Sequence, residues 1–175
     1  MLSGKKLKCI LKGKAFFLIS LFLVACSNNS SSAVDNDEMK IHLLAGYDIN
    51  PNEMGDSAPL NIFIYSVKER DVLTNADFFE IVEGTSKPVQ AAATKVYEAI
   101  LQPGESRTIQ IKLDSNIRSL AFIGAYRSLN DSLWLVNWER PEKKTSRWRP
   151  SFFREDSLEL NANFNKAAIT IKEMD

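Results

Sequence analysis

Cysteine and histidine are nearly absent from this chain. Its 175 residues include two cysteines, Cys9 and Cys26, and a single histidine, His42. Both cysteines fall in an N-terminal stretch that reads as a signal and its processing site, so none is left for a disulfide, a thiolate nucleophile or a cysteine-ligated metal. The core must hold by packing alone. His42 stands in the apolar-alternating run from Met39 to Ala45. A catalytic base needs a nucleophile and an orienting acid beside it, and a zinc ligand needs further histidines or cysteines, so His42 reads as a surface residue of a strand. No glycine-rich phosphate loop, nucleophile elbow or histidine–acid spacing supports a reaction, although the acids are numerous enough to place a carboxylate pair together in space. Catalytic residues, metal ligands and cofactors are therefore all expected to be none. A membrane-spanning run is missing as well: Ala15 to Ala25 is the longest apolar stretch near the N-terminus, and a spanning helix needs roughly 20 residues.

What the N-terminus does have is order. Lys5, Lys6, Lys8, Lys12 and Lys14 form a positive n-region, and Ala15 to Ala25 has the length of a secretory h-region. An uncleaved anchor would need Lys12 and Lys14 to snorkel and Gly13 to enter the span. Leu23-Val24-Ala25-Cys26 resembles the bacterial lipobox: small Ala25 fits the peptidase subsite, and the Cys26 sulfur accepts the diacylglyceryl group. Two or three acyl chains, at about 0.8 kcal/mol per buried methylene, hold a protein to a bilayer far more firmly than one. Ser27 stands where an aspartate usually signals inner-membrane retention, so the resemblance implies sorting to the outer membrane, lipid-anchored on its periplasmic face.

Residues 1–25 are thus expected to be a lipoprotein signal peptide, 26–38 a lipidated cysteine with a flexible tether, and 39–175 one folded domain. Lys and Arg total 22 against 22 Asp and Glu; the signal holds five lysines and no acid, so 17 cations face 22 acids in the mature chain, a net charge of minus five. That balance shows no nucleic-acid footprint. Ser27 to Glu38 is serine, asparagine and acid, too polar to order itself, and extended it reaches up to about 40 Å at roughly 3.3 Å per residue.

From Lys40 onward the dominant period is two. Thr108 to Leu113 places Ile109, Ile111 and Leu113 on one face and polar residues on the other, the pattern of a half-buried antiparallel strand. Leu60 to Val67 is apolar on nearly both faces, which suits a central strand, and Leu120 to Tyr126, Leu133 to Trp138, Leu158 to Phe164 and Ala167 to Lys172 complete the set. Seven or so strands predict a mainly β protein, a β-sandwich, with chain reversals at Asn50-Pro51, Pro103-Gly104 and Asn130-Asp131. One helical insertion is expected at about 74–83, with Thr74 as its cap and Phe78, Phe79, Ile81 and Val82 as its apolar stripe; the aromatic pair reads as core. Pro88 to Leu101 fits helix or strand, with strand favoured after Thr94.

Four stretches in order resemble one family. Asp48-Ile49-Asn50-Pro51, leading through Gly55 and Ser57-Ala58-Pro59 into Leu60, is similar to its D-x-N-P loop; Ala76-Asp77-Phe78-Phe79 to its A-D-F-F helix; Leu101 to Ser106 to its L-x-P-G-E-S turn; and Gly124-Ala125-Tyr126-Arg127 to its G-x-[YF]-R strand end. The family is TssJ (SciN), the outer-membrane lipoprotein of the type VI secretion system, and the likeness covers about Ile41 to Leu129. It implies a transthyretin-like antiparallel β-sandwich with a small helical insertion and no catalysis. It also implies an anchoring role, through the periplasmic C-terminal region of TssM, with TssL in the same complex. The family's partner-binding loop maps onto Tyr47 to Ala58, giving Asp48, Asn50, Pro51, Asn52, Glu53, Met54, Gly55 and Asp56 as candidate contacts. Pro51 stiffens the loop, Asn50 and Asn52 offer side-chain hydrogen bonds, and Met54 is an adaptable apolar contact.

Beyond that span the chain departs from the family: Trp134-Leu135 stands where Trp-Arg is common, and Arg140 to Arg154 has no counterpart. Residues 138–154 interleave Trp138, Trp148, Phe152 and Phe153 with Arg140, Lys143, Lys144, Arg147, Arg149 and Arg154. Packing, a second protein contact, and glycan or lipid contact all fit that composition. The alternative function is accordingly a freestanding periplasmic lipoprotein that binds peptidoglycan or another glycan.

Overall fold

The computed structural model describes residues 37–114, 117–141 and 158–174. The signal peptide, Cys26, Ser27 and residues 142–154 of the basic-aromatic stretch lie outside them. Among the described residues, eight strands form two four-stranded sheets. The first contains β1 (Asp37–Ala45), β4 (Ser106–Leu113), β7 (Leu158–Phe164) and β8 (Ile169–Met174), in the order β4-β1-β7-β8. The second contains β2 (Leu60–Val67), β3 (Ala93–Leu101), β5 (Ser119–Gly124) and β6 (Leu135–Glu139), in the order β3-β2-β5-β6.

The period-two pattern decides which faces meet. Met39, Ile41 and Leu43 of β1 and Leu160, Ala162 and Phe164 of β7 are all fully buried. They pack against Leu60, Ile62 and Ile64 of β2 and Leu120 and Phe122 of β5 from the other sheet. The alternate residues Lys40, His42 and Glu159 stay at the surface of the first sheet. Burying each of the large apolar side chains contributes roughly 1.5–3 kcal/mol. One pairing departs from an all-antiparallel sandwich: β1 runs antiparallel to β4, Ile41 opposite Ile109, but parallel to β7, Ile41 opposite Leu160. Parallel neighbours need a long crossover, and nearly the whole domain separates these two in sequence.

Strand β2 is apolar on both faces because the second sheet has a core on both sides. Phe63, Tyr65 and Val67, with Ala121 and Ile123 of β5, face away from the first sheet. Three short helices cover them: α1 (Arg70–Thr74), α2 (Phe78–Val82) and α3 (Lys87–Ala92), which contribute Leu73, Phe78, Ile81 and Val89.

The single helix capped by Thr74 does not form. Thr74 closes α1, its hydroxyl donating to the Arg70 carbonyl at 3.0 Å. Asp77 caps α2 instead: its carboxylate accepts from the Phe79 N–H at 2.8 Å, and Glu80 accepts from the Asp77 N–H at 3.2 Å. This reciprocal box satisfies two otherwise orphaned donors, and a carboxylate at the helix start does so better than a hydroxyl three residues upstream. Of the aromatic pair, Phe78 is core and meets Trp134 edge-on at 5.4 Å between ring centres, whereas Phe79 is 55% exposed. The ambiguous stretch divides: helix with Pro88 in its first turn, then strand from Ala93.

Candidate docking end of the sandwich

Strand β1 is entered at Asp37 and left at Ala45, about 26 Å further along at roughly 3.3 Å per residue. The β1–β2 loop, residues 46–59, therefore lies at the end of the sandwich opposite the point where the chain enters. Two other connections, the β3–β4 turn and the β7–β8 turn, meet it there. Gly104 of the β3–β4 turn donates its N–H to the Gly46 carbonyl at 3.3 Å, the Gly46 N–H donates to Phe164 at the end of β7 at 2.8 Å, and the Ala45 N–H donates to Glu105 at 2.9 Å.

Two inward residues root the loop. Ile49 is fully buried, and its carbonyl accepts from the Ala58 N–H at 3.1 Å, which closes the loop's base. Asn50 is 6% exposed with φ 47°, the one non-glycine residue at positive φ among those described. Its Nδ2 donates to the Pro59 carbonyl at 2.9 Å and its Oδ1 accepts from the Arg127 N–H at 2.9 Å. Both ends of this amide are thus occupied inside the domain and do not point to a partner.

The tip is folded on itself. Asn52 Oδ1 accepts from the backbone N–H of both Met54 and Asp56 at 2.9 Å, its own N–H donates to the Asp56 carbonyl at 2.8 Å, and Gly55 supplies φ 89°. An Asx turn of this kind substitutes a side chain for missing backbone partners. It leaves Met54 87% exposed, with Glu53 and Asp56 exposed beside it. Pro51 is half-buried and Asp48 exposed.

Tyr47 is 86% exposed, yet its ring has a seat. A Cβ placed on Gly104 would fall 2.5 Å from Tyr47 Cε1, and Gly104 sits at φ 74°, so the ring lies directly over a residue that only glycine suits. That turn is stiffened by Glu105, which accepts from the Gln102 N–H at 2.8 Å and from Arg107 Nε at 3.0 Å. The first bond, then the second, holds its carboxyl below the usual carboxylate range.

The loop carries Asp48, Glu53 and Asp56 and no cation, and none of the three joins an ion pair among the described residues. Exposed Arg127 and Lys166 lie on the two neighbouring connections. Next to Arg127, buried Tyr126 donates its hydroxyl to the Asn165 carbonyl at 3.2 Å, and burial pushes its phenol well above its ordinary value. Nothing in the local sequence marks Gly104, Arg127 or Lys166 as neighbours of the loop, because each contact joins residues far apart along the chain.

His42 on the outer face of the first sheet lies with Nδ1 2.9 Å from Thr108 Oγ1 and Nε2 3.3 Å from Glu159. No group of three or more potential metal ligands exists among the described residues. Trp138, the first aromatic of the basic-aromatic stretch, is buried in the core. A shallow cavity of about 360 Å³ beneath the helices is lined by Tyr65, Val89 and Lys95 among others.

Residues 37–169 match the family T6SS-SciN, described as Type VI secretion lipoprotein, VasD, EvfM, TssJ. Among solved structures, the T6SS lipoprotein TssJ1 from Pseudomonas aeruginosa is 26% identical with a TM-score of 0.68, covering 80% of this chain and 98% of its own. Serratia marcescens Lip, a membrane-bound component of the type VI secretion system, is 16% identical with a TM-score of 0.64, covering 79% and 98%. A chain of the structure "T6SS protein TssM C-terminal domain (869-1107) from EAEC" matches at 16% identity and a TM-score of 0.53, covering 79% and 98%. No curated protein matches the chain.

Proposed function

The chain belongs to the type VI secretion lipoprotein family that includes TssJ, and from that premise we propose that it is a non-catalytic anchor of the secretion system's trans-envelope complex. In this reading Cys26 carries the acyl chains, Ser27 permits sorting to the outer membrane, and the domain hangs on its tether from the periplasmic face. The β1–β2 loop docks on the periplasmic C-terminal region of TssM, and TssL belongs to the same assembly.

The observation that carries the proposal is a loop folded by its own hydrogen bonds that holds Met54 and Tyr47 almost fully in solvent. A preordered loop with apolar side chains at its tip loses little entropy on docking, and a flexible thioether and an aromatic ring are side chains that bury well in a partner's pockets. The loop also faces away from the end where the tether enters, so anchoring and docking do not compete for space. The test is capture of TssM from membrane extract by the full chain and by the Tyr47→Ala/Met54→Ala pair. Loss of capture by an anchored, folded variant supports docking; unchanged capture removes the loop from the account.

A further inference from the structure

One residue of the docking loop points the wrong way for a contact. Asn50 is buried, takes up a left-handed backbone conformation, and bonds to three separate segments. Its N–H donates to the Lys166 carbonyl in the β7–β8 turn at 3.1 Å, its Nδ2 to Pro59 on the loop's return limb at 2.9 Å, and its Oδ1 accepts from Arg127 between β5 and β6 at 2.9 Å. The position asks for a side-chain donor, a side-chain acceptor and tolerance of positive φ together. Asparagine meets all three, whereas aspartate lacks the donor and glycine lacks both groups.

We infer that Asn50 is a positioning residue: a latch that fixes the β1–β2 loop to the connections bearing Arg127 and Lys166, so that one preformed face meets the partner. This rests on the docking reading above. With the latch open, the loop samples several conformations and the partner binds only the competent fraction, so apparent affinity falls by that fraction and the loss appears in the association rate. Removing a contact such as Met54 acts instead mainly on dissociation.

The test uses the full acylated chain in detergent with the purified periplasmic region of TssM. Asn50→Gly keeps the backbone conformation and loses both side-chain bonds; Asn50→Asp keeps the acceptor for Arg127 and loses the donor to Pro59. In Asn50→Gly, hydrogen exchange at the Arg127 amide is expected to accelerate by about tenfold or more, the change that losing one hydrogen bond of about 1.4 kcal/mol gives. Association with TssM is expected to slow by a similar factor with dissociation within about twofold of wild type. Asn50→Asp is expected to fall between the two. Faster exchange at Arg127 with unchanged association, or a loss confined to dissociation, overturns the latch. A parallel Met54→Ala chain separates the two claims: if it alters neither rate, docking by the loop fails as well, while exchange at Arg127 still reports whether Asn50 holds the loop.

Discussion

Trp138 of β6 donates its indole N–H to Glu173 Oε1 of β8 at 2.9 Å, joining the two sheets along their shared edge. The backbone makes the same seam a few residues away, where the Leu133 N–H donates to Ala167 at 2.9 Å and Leu133 accepts from Ile169 at 3.2 Å. The Trp138 ring is therefore part of the wall between the sheets. Trp138→Phe keeps most of the buried apolar area and removes the bond. A loss of about 1 kcal/mol is expected, or about 3–4 °C in Tm for a domain of this size. Glu173→Ala should lower Tm by a similar amount, and the double variant should cost less than the sum; full additivity in thermal unfolding would show the bond to be unimportant.

Gly104→Ala tests the seat of Tyr47. The new methyl meets the ring at 2.5 Å and the backbone must hold φ 74° with a side chain, together costing about 1–2 kcal/mol. Tyr47→Ala in that background removes the clash but leaves the backbone strain, so part of the lost Tm should return. If Gly104→Ala is as stable as wild type, the ring is not held there.

Glu159 makes stability depend on acid. The Lys40 ammonium first, and the His42 imidazole second, hold its carboxyl below the usual carboxylate range. A depressed folded-state pKa contributes stability that is present above the unfolded value, about 4.3, and is lost as pH falls through the lower folded value. Lys40→Met should therefore lower Tm at pH 7 and have almost no effect near pH 2. A pH-independent difference in melting curves would assign Lys40 a packing role instead.

The described domain contains no cysteine, so Cys26→Ser should leave folding untouched and abolish anchoring. The expected result is a soluble periplasmic protein with unchanged Tm that no longer supports secretion. Persistence in the outer-membrane fraction would show that the acyl chains are not what holds it.

The strands were legible because burial of one face imposes period two, and β1, β4 and β7 show it residue by residue. The double-sided apolar run of β2 announced a central strand, but not that its second face needs a layer of three helices. Short helices give too few turns for a pattern, which is why α1 was invisible and the cap at Asp77 was assigned to Thr74. The β1–β2 connection was legible from its turn residues, Asn50-Pro51 through Gly55. The division of labour within it was not legible. Asn52 bonds within five residues and can be read locally, but Asn50 finds Arg127 and Lys166 only once the sheets are stacked.

The central claim is that this end of the sandwich docks on TssM, and the most direct measurement is binding of the full chain to purified TssM periplasmic region, compared with the Tyr47→Ala/Met54→Ala variant. Truncating two central apolar anchors of an interface costs about 2 kcal/mol or more, so affinity should fall at least about thirtyfold while Tm changes by no more than a few degrees. Wild-type affinity in that variant would contradict it.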